Sequence, residues 1–419
     1  MTQESIEAEE FVRLDAPRDG VPAVVQDDSG LHDAIAALRV GTGPVAVDAE
    51  RASGYRYGQS AYLVQLRRAG SGTWLIDPVP LPDLHTLDEA LADTEWVLHA
   101  ATQDIPCLAE LGMRPRQLFD TELGGRLAGL PKVGLSAVLE FYLGVTLAKE
   151  HSAVDWSTRP LPEPWLRYAA LDVELLVELR TRMGQDLDEQ GKSAWAAQEF
   201  DALTRFTGPD HGSEPWRRTS GMHRVRTPRA SATVRELWQA RDDLARARDV
   251  TPARILPDAT LVDLALRAPG SARALGSGKA EKGPSRQRRA QQGLKRHRAD
   301  WVRAIDVAAD LAQDELPDVS AASDAPPPAR AWAERDPVAA DRLARARADL
   351  AALSEHYEVP VENLLSPDSL RRVLWSPPEL GDDPQATIGE VLTALGARPW
   401  QRELTAPVIA DVLQNGPNP

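Results

Sequence analysis

Cysteine is almost absent from this 419-residue chain: Cys107 is the only one, so no disulfide can form within it and no cysteine-rich zinc site is available. That usage fits a reducing, cytoplasmic setting. No apolar run approaches the ~18 residues that a membrane-spanning helix needs. The N-terminal stretch MTQESIEAEEFVRLDAP lacks a basic segment followed by an apolar core, so no signal peptide is expected. There is no G-x-x-x-x-G-K-[ST] loop, which argues against an ATP-driven helicase and against any nucleotide cofactor. No G-x-S-x-G occurs, and Cys107 has no convincing histidine partner, so nucleophilic catalysis is disfavoured.

Positive charge is also in deficit. The net charge of −15 at first argues against a nucleic-acid partner, but the charge is unevenly spread. Residues 215–300 hold 20 Lys and Arg against 8 Asp and Glu, leaving 28 basic and 55 acidic residues elsewhere. This asymmetry keeps nucleic acid in consideration. With 42% apolar and 26% charged residues, the chain has material for several cores, and its length calls for two or three domains.

Residues 1–22 read as a flexible acidic tail. Over 23–205, short strand-like runs (GPVAVDAE, SAYLVQLRR, GTWLIDP, EWVLHA) alternate with helical ones (LHTLDEALAD, TQDIPCLAELG), the pattern of a mixed sheet with packed helices. PEPWLRYAALDVELLVELRTRMG reads as one helix with a proline entry and a glycine exit. Residues 206–229, rich in Gly, Pro, Ser and Arg, read as a connector. Strand signals then stop. The segments 230–312 and 335–415 read as helical modules, separated by a Pro/Ala/Ser-rich linker over 313–334. ARDDLA and LPDATL in the first align with ARADLA and LSPDSL in the second, an internal repeat.

The chemistry centres on VAVDAE. Side chains at i and i+2 of a strand share a face, so Asp48 and Glu50 sit side by side where a strand ends, and like charges that close repel unless a cation is shared. Alone, such a pair is an ordinary surface feature. Asp104 lies just past the strand WVLHA, where ligand sites gather in open α/β sheets, although a carboxylate there also suits a helix N-terminus. Asp172 sits in YAALDVELL among apolar neighbours, either neutralised by something or exposed on an amphipathic helix, as Glu174 and Glu178 are expected to be. Tyr168, one turn earlier, shares its face and is otherwise a core residue. Four acids from three segments offer only oxygens, which suit two hard divalent cations, Mg²⁺ or Mn²⁺, able to activate water at a phosphodiester.

VDAE…LVQL, VLHAATQDIPCLAELG, LFDTELGGRLAGL and DWSTRPLPEPWLRYAALDVELL together resemble the motifs of the ribonuclease D family, DEDD-type 3′→5′ exonucleases of the tyrosine branch. The resemblance covers about residues 20–205. It implies a ribonuclease H-like α/β exonuclease domain, with Asp48, Glu50, Asp104 and Asp172 as metal-binding acids and Tyr168 aligning or helping to deprotonate the attacking water. Arg51 stands where an aromatic is usual and Trp165 where a glutamine is; neither replaces a ligand, so they bear on substrate contacts. The two all-α modules resemble the helicase-and-RNase-D C-terminal (HRDC) domain in tandem, the second being divergent. The implied activity is a metal-dependent exoribonuclease that releases nucleoside 5′-monophosphates from structured RNA with a single-stranded 3′ end, as in tRNA 3′ maturation. The alternatives are an exonuclease acting on DNA and a binding scaffold with a vestigial site.

Eight basic residues, Lys279, Lys282, Arg286, Arg288, Arg289, Lys295, Arg296 and Arg298, can grip phosphates or form a solvated surface run. Trp301 beside them reads as packing. Tyr55 and Tyr57 are candidate substrate contacts. Arg159 is a phosphate contact or an ion-pair partner, and His99 and His151 are supporting groups or simply packed or surface residues.

Overall fold

Val45, Ala46 and Val47 are fully buried because their strand runs through the middle of a sheet covered on both faces, where an uninterrupted apolar run is required. The computed structural model describes residues 11–147, 153–210, 212–267, 285–319 and 325–415. Its strands are β1 (Val12–Leu14), β2 (Val24–Val25), β3 (Thr42–Arg51), β4 (Ala61–Ala69), β5 (Gly72–Ile76), β6 (Glu95–Leu98), β7 (Gln117–Asp120) and β8 (Val145–Leu147). Six form one mixed sheet in the order β2-β5-β4-β3-β6-β7. The β3–β4 and β4–β5 pairs are antiparallel, and β3–β6 and β6–β7 are parallel. Around the sheet lie α1 (Asp28–Val40), α2 (His85–Ala90), α3 (Ile105–Glu110), α4 (Thr121–Leu127), α5 (Leu135–Leu143), α6 (Glu163–Glu174), α7 (Leu176–Glu189) and α8 (Ser193–Thr204). The expected mixed sheet flanked by helices is thus present, and among the described residues after 153 the regular elements are helical.

Two local expectations fail. Residues 12–19 are not a free tail: β1 pairs in parallel with β8, and Arg18 and Asp19 bond Glu178 and Arg67. A three-residue strand is too short to register as a pattern. The single helix expected over 163–184 is broken at Leu175 (φ −114°, ψ 1°). The break lets α6 cross β3, β4 and β5 while α7 lies along β3, β6 and α4, so apolar residues on two different faces are both buried. Glu174, expected to be exposed, is buried at the end of α6 and paired with Arg67 at 3.3 Å.

The first helical module comprises α9 (Pro228–Arg248), α10 (Pro252–Ile255), α11 (Asp258–Arg267), α12 (Ser285–Arg296) and α13 (Arg298–Asp310). The second comprises α14 (Trp332–Arg335), α15 (Pro337–Tyr357), α16 (Val361–Leu364), α17 (Pro367–Trp375), α18 (Pro384–Ala394) and α19 (Pro399–Gln414). The repeat read from sequence has a structural counterpart. Pro228 and Pro337, Pro252 and Val361, and Asp258 and Pro367 open equivalent helices at a constant offset. Both 21-residue helices end in a non-glycine residue of left-handed conformation, Asp249 (φ 49°) and Glu358 (φ 52°).

Parts of the expected connector and linker belong to the modules: Trp216 and Val225 lie in the first module's core, and Trp332 lies fully buried in the second's. The second module also shares a core with the α/β domain, where Val359, Leu364 and Trp400 pack with Leu127, Leu139 and Phe200. Among the described residues no helix is long and apolar enough to cross a membrane.

At this seam Gly129 has φ +82°, and a Cβ there would stand 2.7 Å from the Glu358 carbonyl oxygen. Gly129→Ala is therefore expected to lower stability by about 1–3 kcal/mol, read as a drop in the thermal midpoint.

Candidate active site

β3 delivers the first two acids. Its pleat puts Asp48 and Glu50 on one face, opposite Gln65 and Leu63 of β4, and the register shifts immediately afterwards, between Glu50 and Arg51. The α6 helix lies across this face and supplies Asp172. Carboxylate oxygens of Asp48, Glu50 and Asp172 all fall within 4.8 Å of one another, the only such group of three His, Cys, Asp or Glu side chains found among the described residues.

Asp104 arrives from the other side through a strained turn. After β6, Ala100 adopts a left-handed conformation (φ 60°, ψ 50°), unfavourable for a residue with a Cβ. Asp120 holds it there. This buried carboxylate accepts from the backbone N–H groups of Ala100 (3.2 Å) and Ala101 (2.8 Å), and from Glu122 and Leu123 at the start of α4. Asp104 follows at the junction with α3. It is 5% exposed and makes no side-chain capping bond, so the helix-terminus explanation fails and the carboxylate is left beside Asp48.

The electrostatics follow from this crowding. Desolvation raises the pKa of Asp48 to about 6. Glu50, Asp104 and Asp172 are raised well above the usual carboxylate range, first by burial and then by the charge of Asp48. Arg51, the nearby cation, opposes this for Asp48, Glu50 and Asp104, but is half-exposed and donates to Gln103 at 3.3 Å. The Tyr168 hydroxyl interacts with the Asp172 carboxylate, and burial together with the surrounding acids pushes its pKa far up. Its ring packs at 6.4 Å from that of fully buried Trp156, which also meets Trp165 at 5.6 Å.

This donor set fits divalent cations. It is all oxygen, it carries more negative charge than Arg51 can offset, and beside Asp48 the fully buried Gln65 amide has no hydrogen-bond partner on either polar atom. Asp48, Glu50 and Asp172 can hold one ion, with Asp104 beside Asp48 able to share a second.

The other candidates separate clearly. Arg159 is consumed by a two-point ion pair with Asp77 (2.7 Å) and by bonds to three backbone carbonyls. His99 bonds Thr121 at 2.9 Å, and burial lowers its pKa to about 4. Tyr55 and Tyr57 face the first helical module rather than the acids. Trp301 is fully buried and donates to the Gly293 carbonyl. Lys295, Arg296 and Arg298 are exposed. Lys279, Lys282 and His151, and the side chains of Arg286, Arg288 and Arg289, lie outside the described residues. Asp120 and Gln65 were not singled out by sequence. Asp120 precedes a helix and could have been read as its cap, but nothing local signals its bonds to residues 100 and 101.

Comparison with known proteins identifies the domains. Residues 22–188 match the family model described as 3'-5' exonuclease, and residues 231–293 match the HRDC domain. Residues 325–413 match a model described as 3' to 5' exonuclease C-terminal domain; the expected second HRDC domain is not confirmed. Ribonuclease D of Pseudomonas paraeruginosa is 32% identical over 247 residues, covering 58% of this chain and 64% of that protein. The chain thus carries a 3'-5' exonuclease domain and an HRDC domain and is similar to proteins named ribonuclease D. Ribonuclease D of Nitrobacter hamburgensis is 32% identical over 47% of this chain; the match spans 50% of that relative's length. A protein structure from Bifidobacterium adolescentis is 38% identical over 97% of this chain and 100% of its own, with TM-score 0.85. Escherichia coli RNase D shares the fold, at 23% identity over 94% and 98% of the two chains and TM-score 0.68.

The acid cluster has a stability consequence. Because Asp48 has a higher pKa folded than unfolded, the folded state binds the extra proton between about pH 4 and 6, and this group's contribution to stability falls as pH rises through that window. At pH 7.5 it destabilises the ion-free protein by about 2–3 kcal/mol. Asp48→Asn should therefore raise the melting temperature of EDTA-treated protein at pH 7.5, flatten its dependence between pH 4 and 6, and weaken the rise that Mn²⁺ gives the parent protein. Scanning calorimetry with and without Mn²⁺ checks all three.

Proposed function

We propose that the chain is a divalent-cation-dependent 3′→5′ exoribonuclease that hydrolyses terminal RNA phosphodiesters to nucleoside 5′-monophosphates, in the cytoplasm. The observation that carries this reading is the convergence of Asp48, Glu50 and Asp172 within 4.8 Å, with Asp104 buried beside them, in a domain of 3'-5' exonuclease type. Several relatives are named ribonuclease D, and the E. coli protein is described as an exoribonuclease involved in structured RNA processing. Structured RNA with a single-stranded 3′ end, such as a tRNA precursor trailer, is accordingly the substrate class we assign.

Asp48, Glu50 and Asp172 would hold one Mg²⁺ or Mn²⁺ ion, and Asp48 with Asp104 a second. Such ions supply water activation and neutralise charge on the departing 3′ oxygen. The remaining work falls to the chain. Asp120 and the turn at Ala100 hold Asp104 in place. Tyr168 keeps its proton in the acid cluster and acts as a donor, its ring set against Trp156 and its hydroxyl toward Asp172. The Arg159–Asp77 pair anchors the segment that leads into α6.

A 5′-labelled RNA incubated with the protein and Mn²⁺ should shorten stepwise from its 3′ end, and EDTA should stop it. Asp48→Ala and Asp172→Asn should abolish the ladder while remaining folded by circular dichroism, and Tyr168→Phe should lower kcat about a hundredfold. Full activity in either acid variant would overturn the reading. Equal action on matched DNA would make the enzyme a general exonuclease, and binding without Mn²⁺-dependent hydrolysis would make it a scaffold.

A further inference from the structure

The two helical modules meet the α/β domain through the same turn, the one that ends each module's 21-residue helix, but with opposite chemistry. In the second module, Glu358 abuts Gly129, and the contact continues through Val359 into shared core. The Trp400 ring stacks on Trp195 at 4.9 Å, and its Nε1 donates to buried Glu199 at 2.9 Å. In the first module, the equivalent turn at Asp249 and the helix before it grip the β3–β4 loop, residues 52–60, chiefly through polar and charged groups, with the Tyr57 ring set against the module's core.

That loop begins two residues after Glu50. Tyr57 inserts its ring against the first module's core, and its hydroxyl lies 3.0 and 2.9 Å from the two Asp242 carboxylate oxygens. Arg246 donates to the same hydroxyl and pairs with Asp242. Asp249 accepts from the Tyr57 backbone N–H at 3.3 Å and pairs with Arg56 at 3.1 Å. Arg254 lies over the Tyr55 ring at 4.1 Å and donates to the Gly54 carbonyl. Arg56 also donates to Ser157 at 2.8 Å, in the segment whose Trp156 packs on Tyr168. One polar clasp therefore ties the first module to the segments that follow Glu50 and precede α6.

We propose that the first helical module is a positioning element of the catalytic domain: its Asp242–Arg246–Asp249 face holds the β3–β4 loop through Tyr57 and Arg56 and so shapes the rim where RNA enters. The second module's matching turn, fused into apolar core, is a fixed part of the body. The clasp is built from charge-assisted bonds at a partly exposed seam, so salt and single substitutions can loosen it without unfolding either domain.

The test is hydrogen exchange of the full chain, read by mass spectrometry, for Tyr57→Phe, Asp242→Asn and the double variant. Losing a hydrogen bond to a charged group predicts about tenfold faster exchange in residues 52–60 and 249–254. The double variant should add little to either single change, and the segment around Glu358 should be unaltered. The kinetic arm rests on the proposed nuclease activity: KM for an RNA oligonucleotide should rise about tenfold, with kcat and the Mn²⁺-induced shift in melting temperature unchanged. Unchanged exchange in the loop would overturn the proposal, as would a rise spread over the whole chain or a fall in kcat at constant KM. Absence of nuclease activity in the parent protein would count against the functional reading alone, and the exchange result would still decide the clasp.

Discussion

Mutual repulsion among carboxylates that are half-buried or, at Asp104, buried is the constraint around which this molecule is arranged. A sheet that brings Asp48, Glu50 and Asp172 within 4.8 Å and places Asp104 beside them has concentrated negative charge where water is scarce, and such a cluster is favourable only with protons or cations bound. The supporting structure reflects the difficulty. Fully buried apolar residues on β3 hold the strand rigid up to the first acid. A left-handed alanine is kept in place by a carboxylate that accepts four backbone hydrogen bonds. A helix break at Leu175 lets α6 lie over the acids while α7 fills the core.

Much of this was legible in the residues. The apolar run ending in Asp-x-Glu located β3, and the proline entry located α6 with Tyr168 and Asp172 one turn apart. The order of the four motifs supplied the fold before any geometry was known. Illegible parts depend on long-range contacts. Asp120 bonds a turn twenty residues away, and Gln65 matters through its register with Asp48. Glu174 looked like a surface carboxylate until Arg67 of a neighbouring strand met it. The break at Leu175 is invisible because apolar spacing is continuous across it. Arg159, undecided between phosphate and ion pair, was settled by Asp77, far from it in the chain.

The helical half shows the same division. Equal spacing revealed two modules, and their equivalent helices and left-handed caps follow from it. Their different attachment does not. Tyr57 reads as a candidate substrate contact because it follows the acids in sequence, yet its hydroxyl is occupied by Asp242 and Arg246. The strongly acidic α/β half and the basic segment over 215–300 balance a site that must attract cations against a partner that must attract phosphate.

The most direct test of the central claim is calorimetric titration of Mn²⁺ into EDTA-stripped protein near pH 6, repeated in buffers of different ionisation enthalpy. If raised pKa values mark a cluster awaiting cations, binding must release protons to the buffer, and two ions should bind per chain. Asp48→Asn and Asp172→Asn should lose both the binding and the proton release. Saturation without proton release, or no binding by the parent chain, would contradict the account.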